Sequence, residues 1–123
     1  MSEFKVTATR SFSFHSAHKL PNYKGDCANL HGHSYKGEVT VSAPSLKDGM
    51  VLDFNILDAK IEGVMKKYDH RYLNDIISNP TAEIIAMELF EDLDNAMSVT
   101  ISASVEEVVL YETENSKVTV RRK

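Results

Sequence analysis

Apolar and polar residues alternate along the first part of the chain. Between residues 4 and 14 the apolar positions are Phe4, Val6, Ala8, Phe12 and Phe14, separated mainly by lysine, threonine and serine. A period of two is typical of a half-buried β-strand. The same pattern from Tyr35 to Ala43 predicts a second strand, and the connection between the two strands contains proline, asparagine and glycine.

The middle of the chain changes to a helical period. Apolar residues recur at Leu57, Ile61, Val64, Met65 and Tyr68. This spacing predicts an amphipathic helix over 54–68. A second helix is predicted to begin at Asn79-Pro80, with asparagine as the N-cap and proline at the first helical position, and to end near Leu93.

The last part of the chain returns to strands. Val99, Ile101, Ala103 and Val105 predict a third strand, and the phase slips at Glu106-Glu107, which indicates a bulge. A turn at Glu114-Asn115 leads into a fourth strand. Two strands, two helices and two strands predict an α+β fold, with a four-stranded antiparallel sheet and two helices between its second and third strands.

One face of the predicted sheet is polar but almost uncharged. It presents mainly threonine and serine, at Thr7, Thr9, Ser11, Thr40, Ser42, Thr100, Ser102 and Ser104. A solvated sheet face usually has more lysine and glutamate, and an open sheet has two edges that need partners. We therefore expect several subunits to assemble into a barrel with a semi-enclosed lumen.

Length and composition limit the function. A chain of 123 residues predicts one domain, 1–123. With 42% hydrophobic residues, no apolar run that could cross a membrane and no apolar leader, a cytoplasmic location is expected. The net charge of −4 argues against a nucleic-acid partner, and a single cysteine cannot form an intrachain disulfide.

The strongest chemical signal is a group of histidines on the connection between the first two strands. His18, His31 and His33 lie within sixteen residues, with Cys27 between them. Three imidazoles suit a catalytic zinc ion with one open position. Cys27 as a fourth ligand would instead make a closed structural site, and a histidine considered alone is more often a surface or core residue. The pattern leaves these alternatives open.

Six segments carry a family resemblance. They are FSFHSAHKL at 12–20, CANLHGHSY at 27–35, GMVLDF at 49–54, DHRYLND at 69–75, NPTAE at 79–83 and YETEN at 111–115. Together they resemble the 6-pyruvoyl- and 6-carboxy-tetrahydropterin synthase family over nearly the whole chain. The resemblance implies the tunnelling fold (T-fold), a twelve-stranded trimeric barrel, and a homohexamer made of two trimers.

The resemblance also implies a role for each matching residue. The zinc ligands would be His18, His31 and His33; the catalytic residues Cys27, Asp69 and His70; and the pterin-binding residues Glu112, Thr81 and Glu83. In this family the sites lie at subunit interfaces, so Cys27 and the Asp69-His70 pair are expected from different chains. Neighbouring side chains on an extended strand face opposite sides, so this pair can cooperate only if the chain turns sharply there.

The spacing of the thiol sorts the branches of the family. Three residues separate Cys27 from His31, which is similar to the 6-carboxy-tetrahydropterin synthases of queuosine and archaeosine precursor synthesis. That branch implies a zinc-dependent lyase acting on 7,8-dihydroneopterin triphosphate, with release of acetaldehyde and triphosphate. One alternative is an enzyme of the family that forms the 6-pyruvoyl product. Another is a pterin-binding module without catalytic activity, stabilised by zinc, in which Cys27 is a metal ligand.

Overall fold

The protein is represented by a computed structural model that describes residues 3–20, 31–100 and 102–123; the side chains of residues 31, 99 and 100 are outside the description. In chain order the elements are β1 (Ala8–His18), β2 (His31–Ser42), α1 (Phe54–Tyr68), β3 (Arg71–Tyr72), a 3-10 helix (Leu73–Asp75), α2 (Ala82–Thr100), β4 (Ser104–Thr113) and β5 (Ser116–Arg121). Among the described residues, no helix combines the length and the apolar character needed to span a bilayer.

Within the residues that the structure describes, the sheet has five strands in the order β3-β1-β2-β4-β5. All neighbouring pairs are antiparallel except β3, which runs parallel to β1 through the pairs Ser16–Arg71 and Ala17–Tyr72. The α+β class is confirmed, but the four-strand count and the purely antiparallel sheet are wrong. A strand of two residues is too short to produce a period-two pattern, which is why the sequence does not reveal β3.

The first two strands extend further toward their connection than predicted, and they include His18 and His31. β1 ends at His18 instead of residue 14, and β2 begins at His31 instead of Tyr35. The buried positions of β1 continue through Ser16 and His18, whose exposed fractions are 6% and 1%. Because these buried residues are polar, the hydrophobic alternation ends before the strand does. At the other end, Phe4 is 77% exposed and outside the strand.

Helix α1 has the predicted bounds, and its buried residues are Leu57, Ile61, Met65 and Tyr68. Its N-cap is Asp53, whose side chain accepts a hydrogen bond from the backbone N–H of Asn55 at 2.8 Å.

Helix α2 differs from the prediction at both ends. Its N-cap is Thr81 and not Asn79, because the Thr81 hydroxyl accepts the N–H of Ile84 (3.2 Å) and its carbonyl accepts that of Ile85 (2.9 Å). The helix continues to Thr100 and so includes residues that were assigned to a strand and to the polar sheet face. Leu93 and Met97, both fully buried, continue the four-residue spacing of the helix.

Two bulges interrupt the pairing of β4. One leaves Glu106 unpaired where Thr40–Glu107 is followed by Val41–Val105, which confirms the predicted bulge. The other leaves Glu112 unpaired between Tyr111 and Thr113, opposite β5. A bulge bends the strand and changes the direction of a side chain, and bulges are frequent next to active sites.

The two helices cover one face of the sheet and form the core with it. Strand residues in the core include Phe14, Tyr35, Val39, Val108 and Leu110. The opposite face carries small hydroxyl side chains, and Thr9 and Thr40 form a cross-strand hydrogen bond at 2.7 Å. The edges of the sheet are β3 and β5, and the oligomeric barrel stays a prediction.

Candidate active site

Two of the predicted zinc ligands meet where β1 ends and β2 begins. In the antiparallel register His18 is opposite His31, and Ser16 is opposite His33. The ring centroids of His18 and His33 are 5.0 Å apart with the rings nearly perpendicular. The backbone of His31 therefore lies at this end of the sheet, and its side chain is outside the described part of the structure.

The hydrogen bonds of His18 determine which of its ring nitrogens can bind a metal. Its Nδ1 lies 2.7 Å from the carbonyl oxygen of Pro80, and the Tyr35 hydroxyl is more distant from the same atom at 3.4 Å. A carbonyl only accepts, so Nδ1 carries the proton and Nε2 carries the lone pair. A second ring nitrogen that donates to a carbonyl is the usual support of a metal-binding histidine. Sequence reasoning assigned Pro80 to a helix start and missed this role.

Glu112 joins the two histidines through its bulge. One carboxylate oxygen and one ring nitrogen from each of His18 and His33 lie within 4.8 Å of one another. His18 is fully buried, whereas His33 and Glu112 are half-buried. Two imidazoles and a carboxylate are a donor set that a divalent ion such as zinc accepts. These residues thus fit a metal site. Glu112 was predicted only to bind the pterin, but its carboxylate is also close enough to the two histidines to share a metal ion with them.

Asp69 and His70 form a pair on the loop that follows α1. The Asp69 carboxylate accepts a hydrogen bond from the His15 backbone N–H at 2.8 Å and lies 2.9 Å from Nδ1 of His70. His70 has a left-handed backbone with φ of 56°, and its N–H donates to the His15 carbonyl at 2.6 Å. This is the sharp turn that cooperation between adjacent residues requires. The catalytic role of the pair stays a prediction.

The electrostatics of Asp69 follow from these contacts. The His15 backbone N–H, and after it the His70 ring, hold the pKa of the Asp69 carboxyl below its usual range. Asp69 is therefore ionised near neutral pH, and its carboxylate accepts the hydrogen bond from Nδ1 of His70.

An open groove of about 550 Å³ connects the two clusters. Its lining includes His33 from the histidine group and His70 from the pair, together with His15 and Ser34, whose side chains are 2.8 Å apart. The structure places the backbone of His15 against Asp69 and its ring 6.1 Å from that of His70.

The remaining predicted site residues occupy different places. Thr81 caps α2 directly after Pro80, so it lies beside the residue that supports His18. Glu83 is exposed in the first turn of α2. Cys27 falls in the segment 21–30, outside the described residues, and its role stays a prediction.

Comparison with known proteins identifies the family. A family model described as 6-pyruvoyl tetrahydropterin synthase matches residues 7–123. The chain belongs to this family. The resemblance inferred from the six motifs is confirmed.

Individual relatives of this pterin synthase family carry different names. A Synechocystis protein named 6-carboxy-5,6,7,8-tetrahydropterin synthase is 43% identical over 95 residues, covering 71% of this chain and 74% of the relative. A Pyrococcus furiosus protein named dihydroneopterin monophosphate aldolase is 42% identical over 79 residues, covering 64% and 67%. The structure of Caenorhabditis elegans 6-pyruvoyl tetrahydropterin synthase superposes with a TM-score of 0.80 at 28% identity, covering 98% of this chain and 99% of that one.

Proposed function

We propose that the protein is a zinc-dependent lyase that converts 7,8-dihydroneopterin triphosphate and water to 6-carboxy-5,6,7,8-tetrahydropterin, acetaldehyde and triphosphate. Family membership makes it a pterin lyase, and the 6-carboxy names of relatives at 43% and 41% identity favour this branch. The reaction would supply a precursor of queuosine or archaeosine. The observation that carries the proposal is the groove lined by both His33, of the His18-His33-Glu112 group, and His70, of the Asp69-His70 pair.

The metal ligands in this proposal are His18, His31 and His33. The Pro80 carbonyl accepts the proton of Nδ1 of His18, which leaves the lone pair on Nε2, and the register of β1 and β2 brings the backbones of all three histidines to one end of the sheet. Bound zinc supplies a Lewis acid that stabilises negative charge on the oxygens of the substrate side chain. Glu112 accepts the adjacent N–H and amino groups of the pterin ring, with Thr81 and Glu83 as further pterin contacts.

In this proposal Cys27 and His70 transfer the protons. Cys27 as a thiolate accepts a carbon-bound proton from the trihydroxypropyl side chain and becomes a thiol. His70, held by Asp69 through Nδ1, exchanges protons through Nε2. The sheet edges β3 and β5 are suited to pairing with other subunits in a hexamer, and such pairing would bring these groups together from different chains.

The Pyrococcus relative supports a second candidate, an aldolase acting on a phosphorylated dihydroneopterin. Such a cleavage breaks a carbon–carbon bond of the side chain and leaves the phosphate on the released two-carbon aldehyde. The proposed reaction instead releases acetaldehyde and a separate phosphate chain. The two reactions are therefore distinguished by where the phosphate is found.

The test is product identification by mass spectrometry, with an aldehyde-trapping reagent present. The zinc-loaded protein is incubated separately with the triphosphate and the monophosphate of 7,8-dihydroneopterin. The proposal expects 6-carboxy-tetrahydropterin, trapped acetaldehyde and inorganic triphosphate. A pyruvoyl product with all side-chain carbons retained would assign the chain to the pyruvoyl branch, and a phosphorylated aldehyde would assign it to the aldolases. Bound but unchanged substrate would favour the pterin-binding module.

A further inference from the structure

The described lining of the groove between the histidine cluster and the Asp69-His70 pair contains a cationic side chain and no acidic one. The chain has a net charge of −4. Yet the described residues that line the groove include Arg71 and three histidines, and no aspartate or glutamate. The nearby Asp69 already accepts two hydrogen bonds, from His15 and His70. The groove therefore suits an anion.

Arg71 differs from the other arginines of the chain. Each of the other three forms an ion pair: Arg10 with Asp58 (2.8 Å), Arg121 with Glu107 (2.5 Å) and Arg122 with Asp94 (2.6 Å). Arg71 is exposed and has no ion pair or hydrogen bond from its side chain among the described residues. Its backbone, by contrast, is fixed, because β3 pairs it with Ser16 of β1 directly after the left-handed turn at His70.

We infer that Arg71 binds the phosphate end of a phosphorylated pterin substrate, assisted by the Ser34 hydroxyl and the His15 ring on the same groove. The inference rests on the proposed function, because it takes the groove that contains His33 and His70 as the substrate site. A planar guanidinium donates two parallel hydrogen bonds to phosphate oxygens, a geometry that lysine lacks. The Ser34 hydroxyl lies 2.8 Å from Nδ1 of His15, so the two side chains already form a polar unit on the groove wall.

The position also fits the substrate. The phosphate group sits at the end of the side chain that reacts, so a site for it must lie near the proton-transfer residues and not at the pterin end. Arg71 is the residue directly after His70. Glu112, assigned to the pterin ring, lies on β4, which is separated from β1 by β2.

The inference is tested by ligand titrations of the metal-loaded protein, in which binding is measured by pterin fluorescence. Three ligands are compared: neopterin without phosphate, and the monophosphate and triphosphate of 7,8-dihydroneopterin. Arg71→Gln is expected to raise the Kd of the triphosphate by about tenfold, as expected for a lost charge-assisted hydrogen bond, and to leave that of neopterin within about twofold. Arg71→Lys should recover part of the loss, since lysine restores the positive charge but cannot donate two parallel hydrogen bonds to one phosphate.

Lys47→Gln is the matched control. It removes one positive charge from an exposed loop at the far end of the chain's first hairpin and should change none of the three affinities. In the wild type, added salt should weaken triphosphate binding more than neopterin binding, and Arg71→Gln should reduce that difference. Comparison of the monophosphate with the triphosphate shows which phosphate Arg71 contacts.

The outcomes separate the two proposals. An equal loss for neopterin and triphosphate in Arg71→Gln, or no loss at all, would overturn the phosphate assignment even if the wild type turns substrate over. Selective loss of phosphate binding in a protein that makes no product would support Arg71 and overturn the proposed lyase. Failure of the wild type to bind any of the three ligands would overturn both.

Discussion

Replacing Glu112 by glutamine tests how the carboxylate is used. The substitution keeps the shape of the side chain and the bulge that positions it, and it exchanges one acceptor oxygen for an amide donor. A pterin ring presents two adjacent donors to this carboxylate in the proposed complex. Glutamine can accept only one of them, so its NH₂ group meets the other donor.

The expected effect can be estimated. A donor left without an acceptor in a desolvated pocket costs roughly 1–3 kcal/mol. Since about 1.4 kcal/mol corresponds to a factor of ten, the Kd of a pterin inhibitor should rise between about 5-fold and 150-fold. The carboxylate also lies within 4.8 Å of one ring nitrogen from each of His18 and His33. Metal content must therefore be measured together with pterin affinity, because a direct metal ligand would lose both.

The assay is fluorescence titration of a pterin inhibitor, with zinc measured in the same samples. Weaker pterin binding with unchanged zinc is the expected result. The control is Glu114→Gln, two residues along and exposed, which should change neither quantity. An unchanged pterin Kd would refute the anchoring role and make Glu83 the next candidate. Loss of zinc in Glu112→Gln would show that the carboxylate is a metal ligand.

Three further predictions concern the metal, the thiol and the sheet. His33→Ala should lose zinc in metal analysis, because it removes one of three imidazoles, and full zinc occupancy would contradict the ligand assignment. Cys27→Ala should keep zinc and pterin binding but lose kcat in steady-state assays, so near-normal turnover would place the base elsewhere. Gly37→Ala should destabilise the fold, since its Cβ would lie 2.4 Å from the Val109 carbonyl oxygen and 2.5 Å from Phe12. A cost of roughly 1–3 kcal/mol lowers Tm by about 4–12 °C in a chain of 123 residues. Gly63→Ala, in open space on α1, should instead raise Tm by up to about 4 °C through helix propensity; equal losses in both variants would reject the steric argument.

The sequence predicts the regular, amphipathic parts of the fold well. The period of α1 is continuous and its cap is polar, so both of its bounds are correct. β1 was predicted too short because Ser16 and His18 are buried but polar. The end of α2 was misplaced for a different reason: residues 99–105 alternate like a strand, although the helix continues through Met97 to Thr100.

The candidate site is predicted less completely, because its geometry depends on backbone features without a periodic signal. The left-handed turn at His70 brings adjacent residues together, and nothing in the letters Asp-His specifies it. The bulge at Glu112 directs that side chain toward His18. The support for His18 is a backbone carbonyl, that of Pro80, and a carbonyl is present at every residue. Resemblance to the family motifs therefore identifies the candidate site residues, whereas the structure is needed to show which backbone contacts hold them in position.

Strand β1 links the two halves of the site. His18 belongs to the histidine cluster, and the backbone of His15 holds Asp69 and His70. Between them the buried Ser16 hydroxyl donates to the carbonyl of Tyr68, the last residue of α1, so the loop carrying the pair is tied to the same strand. A disturbance that loosens the end of β1 will therefore affect the cluster and the Asp69-His70 pair together. Loss of metal is one such disturbance, since a bound ion would hold His18 of β1 and His33 of β2. We accordingly expect the position of His70 to depend on metal occupancy, although this residue is not itself a proposed ligand.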